Sequence, residues 1–340
     1  MVRLDELPPE LLHRVCLLLA GADKADLRAV AVVATCFVEP ARCAMVEEIT
    51  LRSWRGLIYL NQRLRARPDL ASRVRRVACD PSSDSGCSAN VGALIGLVPR
   101  CSALRVNGQP QSVSASLLAG VETYGRLLQS LDVESADFDV SDAAWRIVRQ
   151  SRETLRTLRS CNWPLPHGGL DEFELPRLVH FEFRAPDPRA RPSFKWIVTR
   201  SPALRSVVAP PHRLPFLPIP IIANMRSIVT HDGTADTGAL AAEISRYVRL
   251  AVLALDIDDD DNAEDLLSAV PASVIDLDLQ DSRIQLWRLI RLVMDKTWLP
   301  RLWRICLPRS GAVGTASWEA GELRAACERR GLESYVSTRG

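Results

Sequence analysis

From residue 70 onward the chain returns to one short arrangement of positions: apolar, two variable, apolar, one variable, and often apolar again. It reads Val74-Val77-Cys79, Cys101-Leu104-Val106, Leu128-Leu131-Val133, Leu155-Leu158-Ser160 and Leu178-Phe181-Phe183. It continues as Leu204-Val207-Ala209, Met225-Ile228-Thr230, Leu250-Leu253-Leu255, Val274-Leu277-Leu279 and Leu302-Ile305-Leu307. The middle positions follow one another at intervals of 21 to 28 residues. One such segment carries no information, but ten in series predict ten short strands, each with its middle residue turned to a core.

Proline supports that register. Pro99, Pro176, Pro202 and Pro300 each stand five residues before a middle position, and Pro271 stands six before. Proline cannot continue a helix and biases its predecessor towards extended geometry, so these positions mark helix ends that lead into strands. Helix-like pieces lie between the strands: "AAWRIVRQSRETL", "GALAAEISRYV" and "RIQLWRLIRLVMDK". In the last, Leu286, Leu289, Ile290 and Val293 recur at helical spacing. The closing "LRAACERRGLESYV" has the same rhythm at Leu323, Ala326 and Cys327, then Gly331 and a short strand, and reads as a terminal unit that covers the last core.

A period of about 20 to 29 residues with one strand and one helix per unit is that of leucine-rich repeats. The predicted fold class is therefore α/β, an irregular solenoid with a curved parallel sheet and helices on its convex side, each repeat burying its apolar side against its neighbours. The asparagine that usually follows the strand in such repeats is missing from most of these. An α/β domain with loosely spaced strands is the other reading. Strand residues beside each middle position point away from the core, and they include Arg76, Arg105, Asp132, Arg159, His180, Glu182, Asp276, Asp278 and Arg304. These are the candidate contacts to a protein target, and their mixed signs name no ligand class.

The opening of the chain follows a different pattern. Leu7, Leu11, Leu12, Val15, Leu18 and Leu19 share one helical face, with Pro8 and Pro9 in the first turn and Gly21 at the end. A second helix starts at Asp26 or in the turn before it, with Leu27, Val30, Ala31 and Ala34 inward and Cys36 and Phe37 near its end. Ile49 and Leu51 close the module as a short extended piece. A module of roughly 48 residues is too small for much of a core, so large apolar groups on it point to a covering partner. The basic run "RLRARPDLASRVRR" joins this module to the repeats and reads as a solvated helix face.

Composition excludes several function classes. The 340 residues are 47% hydrophobic, a globular balance, and 43 basic against 41 acidic residues leave a net charge of +2. That balance gives no reason to expect nucleic acid or an anionic membrane. Lysine occurs only as Lys24, Lys195 and Lys296. The nine cysteines form no C-x-x-C pair and several sit in apolar runs, so they are expected as reduced core thiols. Asp5, Glu6 and Glu10 precede the first apolar stretch and His13 and Arg14 interrupt it, unlike a secretory signal. No stretch approaches the about 18 apolar residues of a membrane span, and the expectation is a cytoplasmic or nuclear protein.

No nucleotide-binding or nucleophile-elbow motif occurs, and the five histidines are scattered, so neither catalysis nor a cofactor or metal is expected. "LDIDDDDNAED" resembles a calcium loop, but Asp261 stands where glycine is needed and Leu267 where glutamate is needed. It reads instead as a strand end followed by a helix capped by Asp261. "APPHRLPFLPIPII" reads as a structured loop after the strand at Val207.

The segment "LPPELLHRVCLLL...DLRAVAVVATCF" resembles an F-box: Leu-Pro, then Glu, spaced aliphatics, Asp-Leu, and a Cys-aromatic element. With the degenerate repeats and the closing "CERRGLE", the order of parts resembles fungal F-box proteins with leucine-rich repeats. The resemblance implies an F-box over 1–52, a connecting helix over 53–71 and a repeat solenoid over 72–340. It implies docking on the SKP-family adaptor, and through it on the cullin, of an SCF-type ubiquitin ligase. Leu7, Pro8, Leu11, Leu12, Val15, Leu27, Val30 and Phe37 would form the docking face, shared with the module's own core, while the repeats select an unknown protein substrate. Scarce lysine would limit self-ubiquitination. Two other readings stay open: a helical cap on the solenoid, and a leucine-rich-repeat interaction scaffold with no ubiquitin-ligase role.

Overall fold

The computed structural model describes residues 8–22, 29–30, 32, 35–51, 54–79, 91–107, 111–134, 138–161, 163, 173–184, 191–231, 237–257, 263–282, 284–308 and 318–335. The chain divides into two compact units, Met1–Leu155 with Leu165–Leu170, and Arg156–Pro164 with Asp171–Gly340. Of the second helix expected from Asp26, only 29–30 and 32 are described, all helical, and the middle of the calcium-like segment lies outside the described residues.

In the first unit, strands β1 (Glu48–Leu51), β2 (Arg76–Cys79), β3 (Ala103–Asn107) and β4 (Ser130–Glu134) pair in parallel and in chain order. Helix α1 (Pro9–Ala22) ends one residue beyond Gly21, and α2 (Val38–Glu47) leads into β1. Helices α3 (Trp54–Ala66) and α4 (Pro68–Ala71) precede β2, and α5 (Val91–Leu97), α6 (Gln111–Thr123) and α7 (Phe138–Gln150) follow in turn. The second unit holds β5 (Thr157–Cys161), β6 (His180–Arg184), β7 (Ser206–Ala209), β8 (Ser227–Thr230), β9 (Val252–Ala254), β10 (Asp276–Asp278), β11 (Arg304–Cys306) and β12 (Glu333–Tyr335). These also pair in parallel and in order, with α8 (Arg191–Thr199), α9 (Ile219–Asn224), α10 (Thr237–Ile244), α11 (Ala263–Ser268), α12 (Leu286–Met294) and α13 (Trp318–Arg330) between them.

The ten middle positions are the register of these ladders. Val77 pairs with Leu104 and Leu104 with Leu131. In the second unit Leu158, Phe181, Val207, Ile228, Leu253, Leu277 and Ile305 form one row of partners. All ten are 1% exposed or less. Stacking them in register gives each repeat two apolar neighbours, which is why such weak individual signals make a stable core.

The backbone keeps the same beat. The carbonyl two residues before a middle position accepts two N–H groups from the next repeat. Arg75 O accepts from Ser102 (2.9 Å) and Ala103 (3.1 Å), and Ile275 O from Trp303 (2.9 Å) and Arg304 (3.1 Å). Polar main-chain groups next to the core are thereby satisfied although the strands are short. Ile49 pairs with Val77, so the extended piece that closes the opening module is also the first strand of the ladder.

Local deviations have identifiable causes. The segment after β7 folds as a 3-10 turn over Pro211–Phe216 and then α9, with Leu214, Ile221 and Ile222 buried. Its prolines supply fixed φ at the first positions of each short helix. At the terminal repeat Gly331 takes a φ of 74°, the left-handed geometry that ends α13. Among the described residues, no helix is long and apolar enough to cross a membrane.

Candidate functional site

The opening module has a small core and an apolar outer side. Pro8 O accepts hydrogen bonds from Leu11 N (2.9 Å) and Leu12 N (3.2 Å), which starts α1. Leu12 and Cys16 turn inward on Phe37, Ala41 and Ala44, with Val30, Cys36 and Met45 partly buried against them. Leu11 (47% exposed) and Val15 (41%) lie one turn apart on the outside of the same helix, and Val38 at the start of α2 is also exposed. Pro8 is exposed beside them. Of the eight residues that the sequence marks for docking, Leu12 and Phe37 build the core, Val30 flanks it, and Pro8, Leu11 and Val15 face outward. Leu7 and Leu27 lie outside the described residues.

The candidate contacts on the sheet face meet one another. Register brings Arg105 opposite Asp132, at 3.4 Å, and Arg76 opposite Glu48, at 3.2 Å. In the second unit Arg159 lies opposite Glu182 at 2.8 Å, and Arg184 reaches the other oxygen of the same carboxylate. Glu182 is only 5% exposed, which two guanidinium partners make tolerable. Arg304 pairs with Asp276 across β10 and β11 and lies 5.7 Å from the centre of the Tyr335 ring. Asp278 accepts from Gln280 N at 2.9 Å in a local turn. Most of the mixed signs in the sequence are thus cross-strand pairs, an arginine in one strand opposing a carboxylate in the next.

Titration follows from these surroundings. Burial, then the positive charge of Arg159, pushes the His180 imidazole below its ordinary value, against the pull of Glu182. His180 Nδ1 sits 2.8 Å from Ser206 Oγ, its register partner. Burial pushes the Tyr335 phenol up to about 12, helped by Cys306 and Asp278. Burial likewise raises the Cys16 and Cys43 thiols and takes Cys101 and Cys327 to about 11. A thiol held in its protonated form is a poor nucleophile. Among the described residues, no group of three or more His, Cys, Asp or Glu side chains is placed to hold a metal ion.

No protein-family model matches the chain, and no curated protein matches it. Among solved structures the chain is similar to one in the crystal structure of the Rad7 and Elc1 complex in yeast, at 12% identity and a TM-score of 0.40, covering 72% of this chain and 72% of that one. A likeness of that size assigns neither fold nor function.

One further feature was not visible in the sequence. In the first unit an open cleft of about 440 Å3 is lined by Arg73, Arg75 and Arg100 together with His13, Cys43, Glu47 and Ser72. These residues come from α1, α2 and the turns that lead into β2 and β3. The basic run around residues 63–76 signalled the charge of Arg73 and Arg75, but nothing in it signalled a cleft.

Proposed function

We propose that the chain is a non-catalytic substrate receptor: an F-box over 1–52 that docks on the SKP-family adaptor of an SCF-type cullin-RING ubiquitin ligase, a connecting helix over 53–71, and repeats over 72–340 that hold a protein target. The observation that carries this reading is the outward apolar pair Leu11 and Val15 on a helix whose inner side already has a core in Leu12, Cys16 and Phe37. A small module with apolar groups left over after its own core is filled has the form of a docking surface. The work of such a receptor is positioning, since holding a target near a charged ubiquitin carrier raises the effective concentration of the acceptor lysine. Its place of action would be the cytoplasm or nucleus.

The test replaces only the outer side. In the full-length chain, Leu11→Asp with Val15→Asp is expected to weaken co-purification with an SKP-family adaptor by roughly ten-fold or more, because two apolar contacts become buried charges. The circular dichroism spectrum and melting temperature should match the unsubstituted protein. Co-purification unchanged by the double substitution overturns the docking reading and leaves the interaction scaffold without a ligase role.

A further inference from the structure

Charge is treated differently in the cleft and on the sheet face. On the sheet, arginines lie opposite carboxylates in the neighbouring strand. In the cleft, three arginines line one opening with a single carboxylate, Glu47, and that carboxylate lies 3.4 Å from His13 Nε2. Among the described residues, the side chains of Arg75 and Arg100 have no hydrogen-bond or ion-pair partner.

The backbone of Arg75 and one arm of the Arg73 guanidinium are held in place before any ligand arrives. Arg75 is fixed on both sides of the ladder: its N–H donates to Glu47 O at 2.9 Å, and its carbonyl accepts from Ser102 and Ala103. One arm of Arg73 donates to Cys43 Sγ at 2.7 Å, which leaves its remaining N–H groups for a ligand. The Ser72 hydroxyl donates to Asp69 O at 2.8 Å and keeps its acceptor side open. An anchored guanidinium and a fixed backbone reduce the entropy lost on binding.

We propose that this cleft binds a phosphate monoester, with Arg75, Arg100 and the free arm of Arg73 donating to the phosphate oxygens. Three positive groups against one carboxylate leave an excess of about two charges, which matches the −1.5 to −2 of a phosphate monoester near neutral pH. A single carboxylate would neutralise about half of that excess. Guanidinium forks fit phosphate oxygens two at a time, which suits arginine rather than lysine here. A cleft of about 440 Å3 has room for the phosphate and the first atoms of the group that it esterifies. A duplex nucleic acid would need a row of cations along its backbone, whereas Glu39 and Glu47 lie on α2 and Glu48 opens β1. The proposal stands independently of adaptor docking.

The experiment uses the full-length chain in chloride buffer, with calorimetry and thermal melting. The probes are inorganic phosphate, O-phosphoserine, serine, and a short Gly/Ala peptide with one phosphoserine beside its unphosphorylated form. Phosphate and O-phosphoserine are expected to bind and raise the melting temperature, while serine and the unphosphorylated peptide do neither. Binding should weaken as salt rises. Arg100→Gln, an exposed turn position, should weaken binding about ten-fold, and Arg75→Gln with Arg100→Gln more, while Arg301→Gln in the second unit changes nothing. A phosphopeptide that binds more tightly than O-phosphoserine identifies a protein-borne phosphate; the reverse order identifies a free metabolite. No melting shift with any phosphate probe, or equal binding in wild type and Arg75→Gln/Arg100→Gln, overturns the proposal.

Discussion

Ser282, 2% exposed, does for one turn what an asparagine does in regular repeats. Its hydroxyl donates to Leu255 O at 2.7 Å and accepts from Ile257 N at 3.2 Å. Thr230 bonds Ala254 O (3.3 Å) and Asp256 N (3.2 Å) in the same way. In the first unit, Ser151 Oγ accepts from Leu128 N at 3.0 Å while Thr154 donates to Leu128 O at 2.8 Å. The missing asparagines are replaced by hydroxyls at shifted positions, which is why the turns look unsupported in sequence. Ser282→Ala leaves a buried donor and acceptor without partners and is expected to cost about 1–3 kcal/mol. Ser245→Ala, which removes an exposed hydroxyl bonded within its own turn, should change stability by less than about 0.5 kcal/mol. Urea denaturation of both variants measures the difference, and equal midpoints would refute the assignment.

At the scale of elements, α5 and α6 approach each other through glycine. A Cβ on Gly120 would lie 2.6 Å from Gly92 O, and one on Gly92 would lie 2.8 Å from Ser116 O. Both obstacles are backbone, so a side chain can be accommodated only by parting the helices. Glycine in a helix costs about 1 kcal/mol relative to alanine, so the sign of a Gly→Ala change reports which effect wins. Gly120→Ala should destabilise by about 1–3 kcal/mol net, because overpacking exceeds the propensity gain. Gly321→Ala in α13, where nothing lies within 4 Å, should stabilise by up to about 1 kcal/mol. Chemical denaturation of the pair checks both signs.

Across the whole molecule, each unit is held by nearest-neighbour contacts between repeats, so its end repeats matter most. In the second unit α13 packs on α12 and buries Leu323, Ala326 and Cys327. Arg330 closes the C-terminal end of α12, donating to Leu299 O at 2.8 Å, to Val293 O at 3.3 Å and to Trp298 O. Leu299 has a φ of 43°, a conformation that costs an ordinary side chain about 1–3 kcal/mol and is held here by those bonds. A chain ending at Pro308 loses all of this and bares Leu289, Val293 and Ile305. At about 2–4 °C per kcal/mol, roughly 3 kcal/mol of lost burial should lower the melting temperature by about 6–12 °C. An unchanged melting curve would show that the last repeat is not a cap.

The beat of middle positions from Val77 to Ile305 was legible in the sequence because burial belongs to one position at a time: a residue facing a core must be apolar whatever lies opposite. The same holds for the helices that end two to six residues before Pro99, Pro202, Pro271 and Pro300 and for the turn at Gly331. What depends on two positions at once was not legible. Arg105 and Asp132, or Arg159 and Glu182, are separated by a full repeat, and only the register shows that they oppose each other. The α1 residues Leu11 and Leu12 are equally apolar, and only packing against Phe37 decides which faces out. His13, Cys43, Arg75 and Arg100 meet in one cleft because β1 joins the ladder beside β2, a pairing that no local pattern announces. Period and composition therefore determined the kind of ladder this chain builds. Which charges cancel, which apolar groups stay free and where arginines collect were decided by tertiary structure, since hydrogen bonds and ion pairs act over a few ångströms between residues far apart along the chain.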